Sequence, residues 1–271
     1  MGETTTLDLA SAESARPWLT VLTWNVHGLP FFRTRERLRR ITSWISDQQP
    51  DIVFLQEVWL LAYLKLLIGA CERDYRAVFA PHRFTRRARG GLLTLIRKNG
   101  WQGGQISFEP YRAAAPRRRL YEGDGVSGKG ILAVELCRGD ERLRAINTHL
   151  QAQYGERHYD DVRQGQLEQL AAFVARADDS VPLLLAGDLN VEAGESLYRS
   201  HLAPVAVDLT EEERRLRGGT TCFDRSGGRT EWIDYVFLRG VDVSASVTRV
   251  ENIAPDDPYS DHDAVLVKIS R

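Results

Sequence analysis

Five oxygen-bearing side chains stand where apolar runs begin or end: Asn25, Glu57, Asp188, Asn190 and Asp261. They are not interleaved with the closely spaced cysteines and histidines that zinc favours. Hard oxygen donors suit Mg²⁺, with Mn²⁺ as a substitute, because these ions keep several waters and need only one or two protein carboxylates. Six histidines accompany them, and two sit at informative places. His149 closes the apolar run around Ala145–Asn147, and His262 stands between Asp261 and Asp263 just before the last apolar run. A carboxylate that holds one imidazole nitrogen raises the basicity of the other, which is what a general base near neutral pH requires. Asp234, inside Trp232-Ile233-Asp234-Tyr235-Val236-Phe237, is the natural orienting group, since an acid buried in such a run is costly without a partner. Each of these residues also has an ordinary structural reading when taken singly: Glu57 as a strand end, Gly187–Asn190 as a turn, a histidine as a satisfied structural residue.

Gly123 to Gly130 matches G-x-x-x-x-G-K through Lys129. The position that should bind Mg²⁺ through Ser or Thr is Gly130, and no clean strand precedes the loop, so a nucleotide-hydrolysing loop is rejected. What survives is a glycine-rich loop that presents Lys129 to an anion.

The elements that must hold these residues alternate. Leu19–Trp24, Ile52–Leu55, Ile131–Leu136, Leu143–Asn147, Leu183–Ala186, Trp232–Leu238 and Ala264–Ile269 read as strands. Between the first two, Arg33–Asp47 carries Leu38, Ile41, Trp44 and Ile45 at helical spacing, and a second helix is expected from about Val162 to Ala177. Chemistry placed at strand ends on a rigid sheet is the usual arrangement in α/β proteins. Two arginine-bearing stretches, Phe84–Gly91 and Arg112–Gly130 with Arg117, Arg118 and Arg119, read as surface loops, and Val58–Gly69 as either a core helix or a membrane-contacting segment.

The chain has 271 residues, 43% hydrophobic and 27% charged, which supplies a sizeable core and excludes fibrous and disordered classes. Thirty-six basic residues against thirty-seven acidic give a net charge of −1, so no global basic field advertises nucleic acid. Three distant cysteines, Cys71, Cys137 and Cys222, fit neither a disulfide framework nor a zinc cluster. No basic segment followed by an apolar run opens the chain, and the longest apolar stretch is too short to span a bilayer, so a cytoplasmic or peripheral membrane location is expected. A flexible tail over residues 1–17 and a single domain over 18–271 complete the expected organisation.

Thr23-Trp24-Asn25-Val26, Phe54-Leu55-Gln56-Glu57-Val58, Asn147-Thr148-His149-Leu150, Gly187-Asp188-Leu189-Asn190, Ile233-Asp234-Tyr235-Val236 and Ser260-Asp261-His262 occur in the order seen in the endonuclease/exonuclease/phosphatase superfamily. The resemblance covers about residues 19–269. Gln56-Glu57-Val58-Trp59, Ser127-Gly128-Lys129-Gly130 and Thr148-His149-Leu150-Gln151-Ala152-Gln153-Tyr154 resemble most the Mg²⁺-dependent neutral sphingomyelinases. The resemblance implies the deoxyribonuclease I-like fold, a four-layer α/β sandwich of two packed mixed β-sheets flanked by helices. It implies that Glu57 holds Mg²⁺ with Asn25, that His262 oriented by Asp234 takes a proton from water positioned by Asp188 and Asn190, and that His149 donates to the phosphoryl oxygens. Asp261 would complete the polar shell around the metal. Asp124 and Lys129 resemble a pair that regulates the site in some of these enzymes.

The expected function is hydrolysis of a phospholipid head group, sphingomyelin to ceramide and phosphocholine, with peripheral membrane contact. A nuclease, or an inositol-lipid or nucleotide phosphatase on the same centre, is the alternative that the arginine clusters motivate. A non-catalytic module is disfavoured because none of Glu57, Asp188, Asn190, Asp234 and His262 has been lost. Head group and oligomeric state are not readable from the sequence.

Overall fold

The computed structural model describes residues 17–30, 33–116, 127–154, 159–218, 221–223, 229–250 and 259–271. The expected tail, Arg117–Arg119 and Asp124 lie outside the described residues. In chain order the strands and helices are β1 (Leu19–Asn25), α1 (Thr34–Gln48), β2 (Ile52–Gln56), α2 (Leu61–Cys71), β3 (Tyr75–Val78), β4 (Leu93–Arg97), β5 (Gln102–Pro110), β6 (Gly130–Arg138) and β7 (Glu141–His149). They continue with α3 (Asp160–Ala175), β8 (Leu183–Asp188), β9 (Val207–Asp208), α4 (Glu211–Arg217), β10 (Cys222–Phe223), β11 (Arg229–Glu231), β12 (Asp234–Arg239), β13 (Ser244–Val250) and β14 (Ala264–Ser270).

Two six-stranded mixed sheets carry the fold, in the orders β13-β14-β1-β2-β4-β3 and β5-β6-β7-β8-β12-β9. Each contains one parallel pair, β1 with β2 and β7 with β8. A parallel pair needs a crossover, and α1 and α3 supply it. The packing makes four layers. Leu38, Ile41 and Ile45 of α1 and Leu64 and Leu67 of α2 bury against Leu22, Trp24, Val53 and Leu55 on the outer face of the first sheet. Leu167, Leu170 and Val174 of α3 cover Ile146, Leu183 and Leu185 of the second.

Between the sheets lies a third core, and its period-two pattern positions the site. Leu19 and Val21 of β1, Ile52 and Phe54 of β2, Leu143 and Ala145 of β7, Leu184 and Ala186 of β8, and Val236 and Leu238 of β12 face inward. Alternation then carries the same inward face to Asn25, Gln56, His149, Asp188 and Asp234 at one end of the sandwich. Just below that end, the Gln56 amide donates to Asn147 Oδ1 at 2.9 Å and to Thr23 Oγ1 at 3.2 Å, while Asn147 Nδ2 donates to the Leu55 and Leu93 carbonyls. This buried polar bridge ties the sheets together where the apolar core gives way to the polar end of the sandwich.

The second helix resolves one open reading. Tyr63, Leu64, Leu67 and Cys71 of α2 are buried, so the apolar stretch around Val58–Gly69 packs into the core rather than standing free.

Candidate active site

Parallel pairing aligns the carboxyl ends of β1 with β2 and of β7 with β8, so Asn25 lies beside Gln56 and His149 beside Asp188. Antiparallel β12 begins at the same edge, with Asp234 paired to Asp188. The chain before β14 brings in His262, whose carbonyl accepts from the Trp24 indole at 3.0 Å.

Asp188 is the hub. Its Oδ2 lies 2.9 Å from Asn25 Nδ2, 3.3 Å from His149 Nε2 and 3.7 Å from His262 Nε2, and its Oδ1 accepts the Asn190 backbone N–H at 3.1 Å. The first of these contacts crosses from one sheet to the other. Burial pushes the Asp188 carboxyl up to about 7, with Asp234 acting in the same sense and His262, Lys129 and Asn25 opposing. His262 Nδ1 is 2.8 Å from Asp234 Oδ2. Burial alone would lower the imidazolium pKa, but Asp234, with Cys222 and Asp188, outweighs it and holds the proton affinity well above the ordinary value. His149 is the opposite case. Burial, the Lys129 ammonium at 3.0 Å and His262 hold it well below its ordinary pKa.

Glu57 sits on the other side of Asn25, whose Nδ2 is 3.1 Å from Glu57 Oε1. Its backbone is left-handed, φ 62°, and the chain approaches so closely that a Cβ on Gly28 would lie 2.0 Å from the Glu57 carbonyl oxygen. Only glycine fits there. Trp59 Nε1 lies 3.4 Å from Glu57 Oε2, and among the described residues no lysine or arginine pairs with this carboxylate. A half-buried carboxylate without a basic partner, next to a carboxamide, fits a hard divalent cation. Asp188, Asp234 and His262 also offer ligand atoms within 4.8 Å of one another. The 2.8 Å contact between His262 Nδ1 and Asp234 Oδ2 makes proton handling the chemistry this trio fits first.

The remaining expected residues are brought to the same edge with other partners. Asp261 Oδ2 is 2.6 Å from His27 Nδ1, and Ser260 donates to its Oδ1 at 3.2 Å. Asn190 donates its side-chain amide to the Leu150 carbonyl at 3.1 Å. Lys129 is buried and faces His149 and the Leu150 carbonyl. Its position five residues after Asp124 cannot be followed further, since Asp124 lies outside the described residues.

Residues 22–262 match the Endonuclease/Exonuclease/phosphatase family. The chain belongs to that family. Among its relatives, a Drosophila melanogaster protein named "Putative neutral sphingomyelinase" is 26% identical over 93% of this chain and 60% of its own length. The rat Tyrosyl-DNA phosphodiesterase 2 is 26% identical over 71% of this chain and 47% of its own. The chain thus spans no more than about three fifths of either relative. Among solved structures, a humanized Danio rerio TDP2 superposes with a TM-score of 0.76 at 18% identity, covering 93% of this chain and 99% of that one. The family's deoxyribonuclease I-like fold is therefore the four-layer sandwich described above.

Two features of this Endonuclease/Exonuclease/phosphatase family member were missed by residue-type reasoning. One is the His27–Asp261 pair. The other is Arg163 of α3, buried, which donates to the Asn190 carbonyl at 2.6 Å and to Glu195 at 2.9 Å. Its signal was present: Arg163 and Gln166 share the helical stripe of Leu167, Leu170 and Val174, where apolar residues are expected.

Proposed function

We propose that the chain is a Mg²⁺-dependent phosphodiesterase that hydrolyses a phospholipid head group, sphingomyelin to ceramide and phosphocholine, from a peripheral position on the membrane. The observation that carries the chemistry is the 2.8 Å His262–Asp234 contact directed at the Asp188–Asn25–Glu57 cluster. Mg²⁺ held by Glu57 and Asn25, with Asp261 in the surrounding polar shell, would neutralise charge on a phosphoryl oxygen.

The chain's own groups do the rest. Asp234 fixes Nδ1 of His262 and leaves Nε2 facing Asp188, so that the ring in its deprotonated form takes the proton of the attacking water. Asp188, held by the Asn190 backbone N–H, orients that water for attack on phosphorus as the bond to the ceramide oxygen breaks. His149 is the proposed hydrogen-bond donor to the phosphoryl group, and Lys129 beside it supplies positive charge to the same region. Among the described residues no helix is long and apolar enough to cross a membrane.

Likeness to the fly relative over nearly the whole chain supports the lipid substrate. Likeness to the rat relative supports a second reading, a nucleic acid phosphodiester on the same centre. Incubation with Mg²⁺ and sphingomyelin vesicles is expected to release phosphocholine. Absence of release together with cleavage of a labelled oligonucleotide would replace the first reading by the second.

A further inference from the structure

The arginine-bearing stretch after β3 is not used by the chemistry above. Between Asp74 and Glu109 the sequence contains no acidic residue, yet it carries Arg76, Arg83, Arg86, Arg87, Arg89, Arg97 and Lys98. In a chain of net charge −1 this is a strong local asymmetry. The middle of it forms a hairpin closed by the Pro81–Ala88 bridge, the His82 N–H to Arg87 carbonyl bond at 2.7 Å and the Arg86 N–H to His82 carbonyl bond at 2.9 Å. Every residue from Pro81 to Arg87 is exposed. Phe84 at the tip is 78% exposed, more than any other large hydrophobic side chain among the described residues. Arg83, Arg86 and Arg87 flank it along the exposed hairpin, and none of the three is in an ion pair among the described residues.

The hairpin is anchored next to Glu57. Its base runs into Gly90 and Gly91, where a Cβ on Gly91 would lie 2.8 Å from the Trp59 ring and one on Gly90 3.3 Å from the Gly128 carbonyl. The Gly91 carbonyl accepts the Val58 N–H at 2.8 Å, next to Glu57. A hairpin with an exposed aromatic ring and three arginines outside any ion pair among the described residues is thus joined at its base to the segment that carries Glu57.

We infer that the hairpin Pro81–Ala88 is a docking element for an anionic lipid surface, with Phe84 entering the head-group boundary and Arg83, Arg86 and Arg87 meeting lipid phosphates. The inference rests on the lipid reading of the site and says how the protein reaches its substrate. Shape favours a bilayer over a nucleic acid strand. Strands are held in grooves that follow the backbone, with aromatic faces free for bases, whereas here every residue of the arginine-bearing tip is exposed. The Phe84 ring is also flanked by the Arg83 guanidinium, 5.1 Å from its centroid, and by the His82 ring at 6.2 Å. A projecting tip carrying one aromatic and several arginines matches the way interfacial segments insert, with charge attraction adding to apolar burial.

The test measures sedimentation of the whole protein with phosphatidylcholine vesicles, with and without phosphatidylserine, while hydrolysis of the soluble diester bis-p-nitrophenyl phosphate is followed in parallel. The triple variant Arg83→Gln, Arg86→Gln, Arg87→Gln is expected to bind phosphatidylserine vesicles about a hundredfold more weakly, on the basis of roughly fivefold per arginine. Phe84→Ala should weaken binding to both vesicle types. Both variants should hydrolyse the soluble diester at the native rate, which shows that they fold. Native vesicle affinity in both variants would overturn the inference, as would loss of single-stranded oligonucleotide binding with vesicle affinity unchanged. Release of phosphocholine is read separately, so failure of the substrate assignment and failure of the docking element are distinguishable.

Discussion

His27 and Asp261 illustrate how far a single pair can be carried at the residue scale. Burial pushes the His27 imidazolium pKa down, but the Asp261 hydrogen bond and charge, helped by Glu57, overcome this and raise it above the ordinary 6.5. Burial likewise opposes the Asp261 carboxylate, yet His27, His262 and Ser260 bring it down to about 2 from its ordinary 3.8. The signs follow from linkage. A raised histidine contributes stability below 6.5 that is lost as pH climbs through its folded value, and a lowered carboxyl contributes stability above 3.8 that is lost as pH falls toward 2. The stability difference between the native protein and Asp261→Asn is therefore expected to be greatest between about pH 4 and 6.5 and to shrink on either side. In the variant, His27 should titrate below 6.5, since burial is the largest influence left, and NMR titration of the ring would show it. An unchanged His27 titration would mean that the pair does not set its charge.

At the scale of elements, α3 holds two strand exits at once. Arg163 takes the carbonyl of Asn190, which is itself in a left-handed conformation at φ 48°, and Gln166 one turn later accepts the Gln151 N–H at 2.8 Å. Arg163 is in turn fixed by Glu195 and Asp160, both of which reach solvent, so these ion pairs are worth less than fully buried ones. Replacing Arg163 by Met is expected to cost about 2–3 kcal/mol in denaturant unfolding, mostly from the lost charge-assisted bonds. If Arg163 positions Asn190, the substitution should also lower kcat while leaving KM nearly unchanged, with Arg163→Lys intermediate because it keeps the charge but not the fork. Equal kcat in native and Met forms would assign Arg163 to stability alone. The same helix shows where sequence reading stops. The sequence predicts it over about Val162 to Ala177, but an arginine in the buried stripe of Leu167, Leu170 and Val174 gains meaning only when its bond to the Asn190 carbonyl is seen.

Across the whole molecule, the parts legible in the sequence are those that repeat a period. Strands β1, β2, β6, β7, β8, β12 and β14 are apolar runs long enough to recognise, and Asn25, Gln56, His149, Asp188 and Asp234 at the site ends of five of them share the inward face that alternation fixes. Apolar β4, Leu93–Arg97, went unread despite its pattern, and two other unread strands have weaker ones. Exposed β5 contains Gly103 and Gly104 and a register shift, and β13, Ser244–Val250, alternates small polar and apolar residues. The buried Gln56–Asn147 bridge could not be read either, because it depends on two sheets meeting. That meeting is also the central claim. Glu57 comes from the first sheet and Asp188 from the second, and both serve one reaction only if the sandwich assembles them into one centre. The most direct measurement is Mg²⁺-dependent hydrolysis of bis-p-nitrophenyl phosphate by the native protein, Glu57→Gln, Asp188→Asn and the double variant. Each single change is expected to lower kcat by about 10²–10⁴-fold, and the double variant to be little worse than the poorer single one, as residues acting as a unit behave. A native rate in either folded single variant, or losses that simply multiply in the double, would contradict a shared centre.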